Sequence, residues 1–214
     1  MGRAGRDEPL VSPAGRVVNA MRTLIYTAFV SLDGVVDSPS GSGASSETHR
    51  SGGWTFQDIE FVPEAYEIKG RETQETTALM FGRIAYEAFA PVWPGIVEFA
   101  DCRLMPKYVV STTLTEDELV DDWGEITILR SLDDVAALKQ TEGGPIAIHG
   151  SATLARNLSD AGLIDRYHLL TFPVLLGAGK RMFSDTDKDK QMLKVLESET
   201  YSNGIVKVIY DVVR

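Results

Sequence analysis

Residues 145–183 read PIAIHGSATLARNLSDAGLIDRYHLLTFPVLLGAGKRMF and carry the clearest structural signal in this sequence. The apolar run at 146–148 predicts a buried strand, which Gly150 interrupts. Ser151 is a typical helix N-cap residue, because its hydroxyl can accept a hydrogen bond from an amide of the first helical turn. Apolar residues then recur at helical spacing up to a predicted helix end at Gly162, namely Leu154, Ala155, Leu158 and Ala161. A strand, a glycine turn and a helix start bring backbone amides and a helix dipole to one place, where an anion can bind.

The rest of the chain repeats this alternation of strand and helix. Short runs rich in β-branched and aromatic residues predict further strands at 23–32, 76–81, 107–110, 126–129 and 167–175. Helices are predicted from about 58 to 71, after Gly82-Arg83, and after the N-cap residue Ser131. The last two strands, at 192–199 and 205–213, flank Asn203-Gly204, which is a strong hairpin signal. The sequence therefore predicts an α/β domain with a mostly parallel sheet and an antiparallel ending.

Composition limits the class of protein and the kinds of partner. The chain of 214 residues is 43% hydrophobic, which is sufficient for one sizeable domain. Its net charge of −10 argues against duplex nucleic acid and anionic membranes as partners, since both need a basic surface. One phosphate-bearing ligand stays compatible with that charge. Cys102 is the only cysteine, which excludes an intrachain disulfide and a thiolate zinc cluster and favours a reducing, cytoplasmic setting.

Two segments lack the pattern of a folded core. Residues 1–20 mix Arg, Asp, Glu and Pro without an apolar centre, so we expect a disordered extension followed by a single folded domain at 21–214. Residues 35–53 are rich in Ser, Gly and Pro, and loops of this length are often lids or binding segments. Trp54 and Phe56 follow this loop, and their rings could stack on a flat substrate or belong to the core.

Three strand ends carry turns that suit an anion: Gly82-Arg83, Ser111-Thr112 and Gly150-Ser151. In an open α/β sheet, ligands bind outside the carboxyl ends of the strands. Three such turns favour a nucleotide with separated phosphates. The alternative is that the glycines only permit tight turns and that Ser111 caps a helix.

Other kinds of site find little support in the sequence. No Gly-x-Gly-x-x-Gly motif for a Rossmann-type dinucleotide site occurs. The segment LGAGK at 176–180 resembles a P-loop, but Val174 and Arg181 stand where that loop needs Gly and Ser or Thr. The histidines show no ligand-like pairing, so no metal site is predicted: His49, His149 and His168. His168 is expected to be a half-buried strand residue.

Five motifs in one order resemble the dihydrofolate-reductase-like superfamily: SLDG at 31–34, GRIAYE at 82–87, VVSTT at 109–113, GSATL at 150–154 and PVLLGAGK at 173–180. The nearer resemblance is to the branch that contains the reductase domain of bacterial riboflavin biosynthesis and its stand-alone relatives. It covers about residues 21–214, and the block at 150–183 is its most specific part. The resemblance implies a three-layer α/β fold, NADPH as hydride donor, a small-molecule substrate and a homodimer.

The same resemblance implies roles for individual residues. Arg83 contacts the adenosine 2′-phosphate, with Gly82 and Ala85 near the pyrophosphate. The wall on the adenosine side is formed by Ser111, Thr112 and Thr113. The cradle of the pyrophosphate and nicotinamide is formed by Gly150, Ser151, Ala152, Thr153 and Leu154.

Two departures from the pattern of dihydrofolate reductases bear on the activity. Those enzymes usually carry Thr where Ala85 stands and Gly-Gly where His149-Gly150 stands, which removes one hydroxyl donor and reshapes the nicotinamide end. The helix after Trp54 also has no clear register for the acid that binds a pterin, although Asp58 lies near that position.

The leading hypothesis is an NADPH-dependent reductase that transfers hydride to a C=N or C=O group of a small heterocyclic substrate. Asp33 is the first candidate to anchor substrate or relay the proton and Asp58 is the second, although either could instead cap a turn. Trp54 and Phe56 are the candidate substrate contacts. Three alternatives stay open: the aminopyrimidine reductase of riboflavin synthesis, dihydrofolate reductase, and a non-catalytic nucleotide-binding module that dimerises.

Overall fold

The computed structural model describes residues 21–40, 49–185 and 190–214. The predicted N-terminal extension at 1–20 and the middle of the predicted loop at 35–53 lie outside these residues. Within them, no helix is both long enough and apolar enough to cross a bilayer.

Strands and helices alternate along the chain as the sequence predicts. The strands are β1 Leu24–Ser31, β2 Ala78–Gly82, β3 Lys107–Val110, β4 Ile126–Leu129, β5 Ile146–His149, β6 Arg166–Phe172, β7 Leu193–Thr200 and β8 Val206–Val212. The α-helices are α1 Glu67–Glu75, α2 Arg83–Phe89, α3 Ala100–Arg103, α4 Leu132–Lys139 and α5 Ala152–Asp160. Short 3-10 turns lie at Pro63–Tyr66, Trp93–Gly95, Val97–Phe99 and Glu116–Glu118.

All of these strands form one eight-stranded sheet in the order β4-β3-β2-β5-β1-β6-β8-β7. Strands β2, β3, β4, β5, β1 and β6 pair in parallel, and β8 runs antiparallel to both β6 and β7. The prediction of a mostly parallel sheet with an antiparallel C-terminal hairpin is confirmed. The late strand β5 lies between β2 and β1, so the turns after β2 and β5 come to the same edge of the sheet.

Helices cover both faces of the sheet and make three layers. On one face, alternate residues of β1 such as Tyr26 pack with Val135 of α4 and Leu158 of α5. The opposite face carries two clusters, one around Phe81 and Tyr86 and another around residues that include Trp54, Ile68 and Phe172. Because β1 is covered on both faces, nearly every one of its residues is buried, as is typical of parallel strands.

Some element ends differ from the predicted ones for identifiable reasons. Strand β6 ends at Phe172 rather than at 175, because Pro173 has no amide hydrogen to donate to a neighbouring strand. The helix predicted from about 58 starts later, since Asp58 has a left-handed φ of 58° and a 3-10 turn at Pro63–Tyr66 leads into α1. The capping residue Ser131 is confirmed, because its hydroxyl accepts from the Asp134 amide at 3.1 Å.

Candidate functional site

A cavity of about 370 Å³ opens at the carboxyl edge of the sheet, where the turns after β2 and β5 meet. We call it the β2–β5 cavity. Most of the residues predicted to bind a cofactor line it, namely Gly82, Arg83, Ala85, Gly150, Ser151, Ala152, Thr153 and Leu154. Residues 36–40 and Lys180 complete its wall. The parallel pairing of β2 with β5 is what brings the two predicted motifs together.

A hydrogen bond joins the two turns directly. The Gly82 amide donates to the Ser151 hydroxyl at 2.6 Å. Ser151 has φ 60° and ψ 57°, and its side chain makes no capping bond to α5, so the predicted N-cap role of its hydroxyl is wrong. Gly82 permits this close approach, because a Cβ there would lie 3.1 Å from the Ser151 hydroxyl. The hydroxyl therefore holds one turn against the other.

The first turn of α5 faces the cavity through Ala152, Thr153 and Leu154. That turn contains no acidic residue. Gly150, which leads into it, has φ 61°, a conformation that glycine adopts without strain. This part of the wall can accept a negatively charged group, because unpaired helix amides and the helix dipole favour anions.

Arg83 lies at the rim of the cavity and already has acidic partners. Its Nε contacts Glu87 at 2.6 Å, its Nη2 contacts Glu118 at 2.6 Å, and its Nη1 donates to Thr113 at 2.9 Å. The Glu87 contact is the first of the interactions that raise the pKa of Arg83 above its usual value. Neither carboxylate was predicted to be part of the site. Glu87 stands four residues after Arg83 on a predicted helix, and this spacing permits an ion pair between them.

The three residues predicted to form the adenosine wall have different environments in the structure. Ser111 is buried, and its hydroxyl accepts from the amides of Thr113 and Leu114 at 3.2 and 3.0 Å. These bonds stabilise the turn at 111–114. The alternative that the sequence left open was that Ser111 caps a helix, but the next helical segment begins only at Glu116. Thr112 is exposed and does not line the cavity. Only Thr113 is connected with the site, through Arg83.

An aromatic group supports the cavity from the side of α2. Phe89 lines the cavity and stacks on Trp93 with ring centres 4.6 Å apart. Trp93 also meets the ring of His149 edge-on at 5.3 Å. A Cβ on Gly150 would lie 3.4 Å from Phe89, so the glycine turn rests closely on this group. These ring contacts join α2, the turn at Trp93–Gly95 and β5, so no local sequence pattern predicts them.

Asp33 lies outside the cavity lining, and its carboxylate accepts several hydrogen bonds. Its carboxylate accepts from the Ser31 hydroxyl at 2.6 Å and from the amides of Leu176 and Gly177 at 3.1 and 2.8 Å. The Ser31 hydrogen bond is the main reason that its pKa is lowered to about 2. Asp33 is therefore ionised at neutral pH, and its contacts are those of a residue that fixes the turn at 176–177. They give no support to the predicted proton relay.

The other predicted substrate residues also lie outside the cavity lining. Trp54 is 4% exposed, donates from its indole to the Asp37 carbonyl at 2.8 Å, and packs edge-on against Phe172. It is a core residue, which was the alternative that the sequence left open. Phe56 is 54% exposed and stacks on Tyr66. Asp58 is exposed in the segment before α1.

A buried polar cluster lies between α1 and the sheet, and we call it the α1 polar cluster: Thr27, Lys69, Glu72 and His168. Glu72 accepts from the Thr27 hydroxyl at 2.8 Å, lies 2.8 Å from the His168 Nδ1 and pairs with the Lys69 ammonium at 3.1 Å. The Lys69 ammonium also donates to the Thr27 hydroxyl. His168 is 2% exposed rather than half-buried, so that expectation is wrong.

His149 lies beside this cluster and links it to the cavity. In the sheet, Thr27 stands opposite His149 of β5 and His168 of β6, so the three residues share one face. His149 directly precedes Gly150, which lines the cavity. The register of the paired strands brings these residues together, and no pattern in the sequence predicts that they are neighbours.

Burial and charge set the ionisation of this region. Burial opposes the charge of Glu72, but Lys69 and the hydrogen bond from His168 outweigh it and lower its pKa to about 2. Burial lowers the pKa of His149 to about 4. At neutral pH, Glu72 is therefore a carboxylate and His149 is neutral. Among the buried side-chain nitrogen and oxygen atoms of the described residues, His168 Nε2 alone has no hydrogen-bond partner.

A second cavity, of about 520 Å³, opens at the opposite edge of the sheet near Lys139, Asp165 and Arg214. Its charged groups already pair with one another, since Asp165 contacts Lys139 at 2.8 Å and Arg214 at 2.7 Å. None of the predicted site residues lines it. The β2–β5 cavity is therefore the candidate site. Within the described ranges, no group of His, Cys, Asp and Glu side chains is arranged to hold a metal ion.

Comparisons with known proteins agree with this architecture. A segment of 104 residues is 35% identical to the protein YyaP of Bacillus subtilis (strain 168) and spans about half of each chain, 49% of this one and 53% of that relative. A crystal structure described as a riboflavin biosynthesis protein from Shewanella sp. PV-4 has a TM-score of 0.66 at 20% identity, over 90% of this chain and 99% of the other. Dihydrofolate reductase from Enterococcus faecalis, solved with NADP(H), has a TM-score of 0.53 at 13% identity, over 90% and 97%.

These solved structures show that the fold is the dihydrofolate-reductase-like one that the motifs implied. The family model described as the RibD C-terminal domain matches residues 22–207, which include β1 to β7 and the first two residues of β8. The chain therefore belongs to the RibD C-terminal domain family, a family of the reductase type.

Proposed function

We propose that this protein is an NADPH-dependent reductase that transfers hydride to a C=N or C=O group of a small heterocyclic substrate. The observation that carries the proposal is the β2–β5 cavity, which the turns after two neighbouring parallel strands form together. Membership of a reductase-type family supports the same reaction class. A structural neighbour whose description includes NADP(H) supports the choice of coenzyme.

The residues that line the cavity suit a pyridine dinucleotide. Gly82 and Gly150 have no side chain to block a ligand, and the first turn of α5 offers amides without a competing carboxylate. These groups would hold the pyrophosphate. Arg83 would bind the 2′-phosphate of the ribose, and Phe89 would form an apolar part of the cavity wall. When bound, the coenzyme supplies the hydride.

His149 and the neighbouring α1 polar cluster are our candidates for assisting the substrate. Neutral His149 carries one ring N–H at neutral pH, and a neutral imidazole can polarise a C=O or C=N group by donating a hydrogen bond. Lys69 is the part-exposed member of the cluster, with 26% of its side chain in solvent, and its ammonium contacts both Thr27 and Glu72. We propose that His149 faces the substrate and that Lys69 is where protons enter from solvent.

The first test is coenzyme binding, which is monitored through the enhanced fluorescence of the bound reduced nicotinamide. The wild-type protein should bind NADPH. Arg83→Ala should weaken NADPH binding about tenfold, because it removes the cation and leaves Glu87 and Glu118 facing the phosphate. Arg103→Ala is the matched control, since Arg103 is a surface residue that pairs with Asp122 far along the chain from the cavity turns. A wild-type protein that fails to bind NADPH would exclude the proposed reductase activity.

The second test concerns the substrate and separates the alternatives. NADPH oxidation should be measured with dihydrofolate, with the aminopyrimidine intermediate of riboflavin synthesis, and with simple imines and carbonyl compounds. Turnover of the aminopyrimidine would identify the riboflavin-pathway reductase, and turnover of dihydrofolate would identify a dihydrofolate reductase. Binding of NADPH without any turnover would favour the non-catalytic nucleotide-binding module.

A further inference from the structure

We infer that Glu118, assisted by Glu87, weakens the preference of this protein for NADPH over NADH, because the two carboxylates occupy the Arg83 guanidinium that would otherwise bind the 2′-phosphate of NADPH. The inference rests on the proposed function and goes beyond it in one respect. The protein binds NADPH no more than about tenfold more tightly than NADH, and Glu118 is the residue responsible.

Arg83 is engaged on each of its three nitrogens. Nε meets Glu87, Nη2 meets Glu118 and Nη1 meets Thr113, at 2.6, 2.6 and 2.9 Å. A guanidinium binds phosphate best when two parallel N–H groups are available to it. Here the carboxylates occupy the positions that a phosphate would need, so a 2′-phosphate gains its arginine contacts only by displacing an existing partner.

Glu118 is held in place independently of Arg83. Its second carboxylate oxygen accepts from the Thr115 amide at 2.8 Å and from the Thr115 hydroxyl at 2.9 Å, at the start of the 3-10 turn Glu116–Glu118. An ordinary surface ion pair contributes little because both side chains are mobile. The Thr115 bonds remove that freedom from Glu118, so its pair with Arg83 is pre-arranged.

The local charge opposes a phosphate and suits a hydroxyl. One guanidinium with two carboxylates gives a net charge of −1 at the rim of the cavity. In Rossmann-type dinucleotide sites, an acidic residue accepts from the ribose 2′-hydroxyl of NADH, whereas an arginine accommodates the 2′-phosphate of NADPH, and the same chemistry applies to these side chains here. This rim contains both kinds of group in contact with each other, and we infer weak discrimination between the two coenzymes.

The test is to titrate NADPH and NADH separately into the wild-type protein and into Glu118→Gln, with nicotinamide fluorescence as the readout. We expect wild-type dissociation constants for the two coenzymes within about tenfold of each other. Glu118→Gln should tighten NADPH binding about 3- to 10-fold, because it removes a negative charge and releases Arg83, and should leave NADH binding unchanged or slightly weaker. Glu87→Gln should act in the same direction with a smaller effect.

Glu116→Gln is the matched control, because it removes the same charge from the same turn without touching Arg83, and it should change both affinities by less than about twofold. Circular dichroism checks that each variant is folded. The inference is overturned if the wild type binds NADPH about 100-fold tighter than NADH, or if Glu118→Gln and Glu116→Gln behave alike. If the wild type binds neither coenzyme, the proposed function fails as well, which is a distinct result.

Discussion

The role of the Ser151 hydroxyl is determined by its hydrogen-bond partner on the neighbouring strand and not by the helix that follows it. A serine before a helix normally caps that helix, and the local sequence GSATL fits this pattern. Here its backbone adopts the left-handed conformation, which moves the hydroxyl away from α5 and towards the Gly82 amide. The bond that forms spans 69 residues of sequence, so no local pattern could have predicted it.

We therefore expect Ser151→Ala to affect the site more than an ordinary surface change would. Loss of the bond to Gly82 should lower the free energy of unfolding by about 1 kcal/mol and weaken NADPH binding, because the two turns are no longer held together. Urea unfolding and coenzyme titration measure the two effects. Ser202→Ala, an exposed position in the turn between β7 and β8, is the control. An NADPH affinity equal to that of the wild type would show that the Ser151 bond does not organise the cavity.

His149 gives the protein a defined sensitivity to acid. Its pKa of about 4 in the folded state lies below the ordinary value of about 6.5, so the unfolded chain binds more protons between these values. Stability should therefore be complete above about pH 6.5 and fall towards pH 4, by at most about 1.4 kcal/mol per pH unit from this group. Denaturant unfolding across this range should show a shallower loss for His149→Gln. An unchanged slope would contradict the assignment to His149.

At the scale of elements, α1 contains the residue on which the cluster depends. Glu72 lies on the buried side of this helix and has three polar partners from β1, β6 and the preceding turn of α1. Glu72→Ala should lower the free energy of unfolding by about 2–4 kcal/mol, because His168 and Thr27 would lose their buried partner. Urea unfolding measures this loss, with Glu75→Ala at the exposed end of the same helix as the control. Equal losses for the two variants would contradict a special role for Glu72.

The elements also show what can be predicted from sequence and what cannot. The bounds of β3 and β4 match the predicted 107–110 and 126–129, because β-branched residues and flanking turns define short buried strands locally. The glycine turns of the cavity were predictable for the same reason. By contrast, Lys107 is a fully buried strand residue whose ammonium donates to the carbonyls of Cys102, Arg103 and Met105. These carbonyls lie two to five residues before Lys107, but their irregular turn has no periodic signature. The contacts of Glu72 with Thr27 and His168, and of Arg83 with Glu118, follow from packing between elements, which periodicity does not encode.

For the whole molecule, the outer strand β7 is the main exposed feature of the sheet. It is the terminal strand, paired only with β8, and its Val195 and Leu196 are 52% and 45% exposed. An edge strand with exposed apolar side chains can pair with another chain. The expected homodimer stays a prediction, and we place its contact on β7 of a second copy.

Light scattering after gel filtration should therefore give about twice the chain mass of 23.4 kDa. Val195→Glu should shift the protein towards the monomer, because it places a charge in the apolar contact. Leu104→Glu introduces the same kind of change at another exposed apolar residue, outside β7, and should leave the mass unchanged. A monomer in the wild type, or a loss of dimer with both variants, would contradict a contact at β7.

The central position of β5 has a consequence for how the protein acquires its binding competence. This strand is synthesised after β1–β4 yet must enter the gap between β2 and β1, a long-range pairing that is slow to form. Until β5 pairs with β2, no contact holds the two glycine turns next to each other. A nascent or partly denatured chain should thus be unable to capture a dinucleotide, and retention of coenzyme would report that β5 has paired with both β2 and β1.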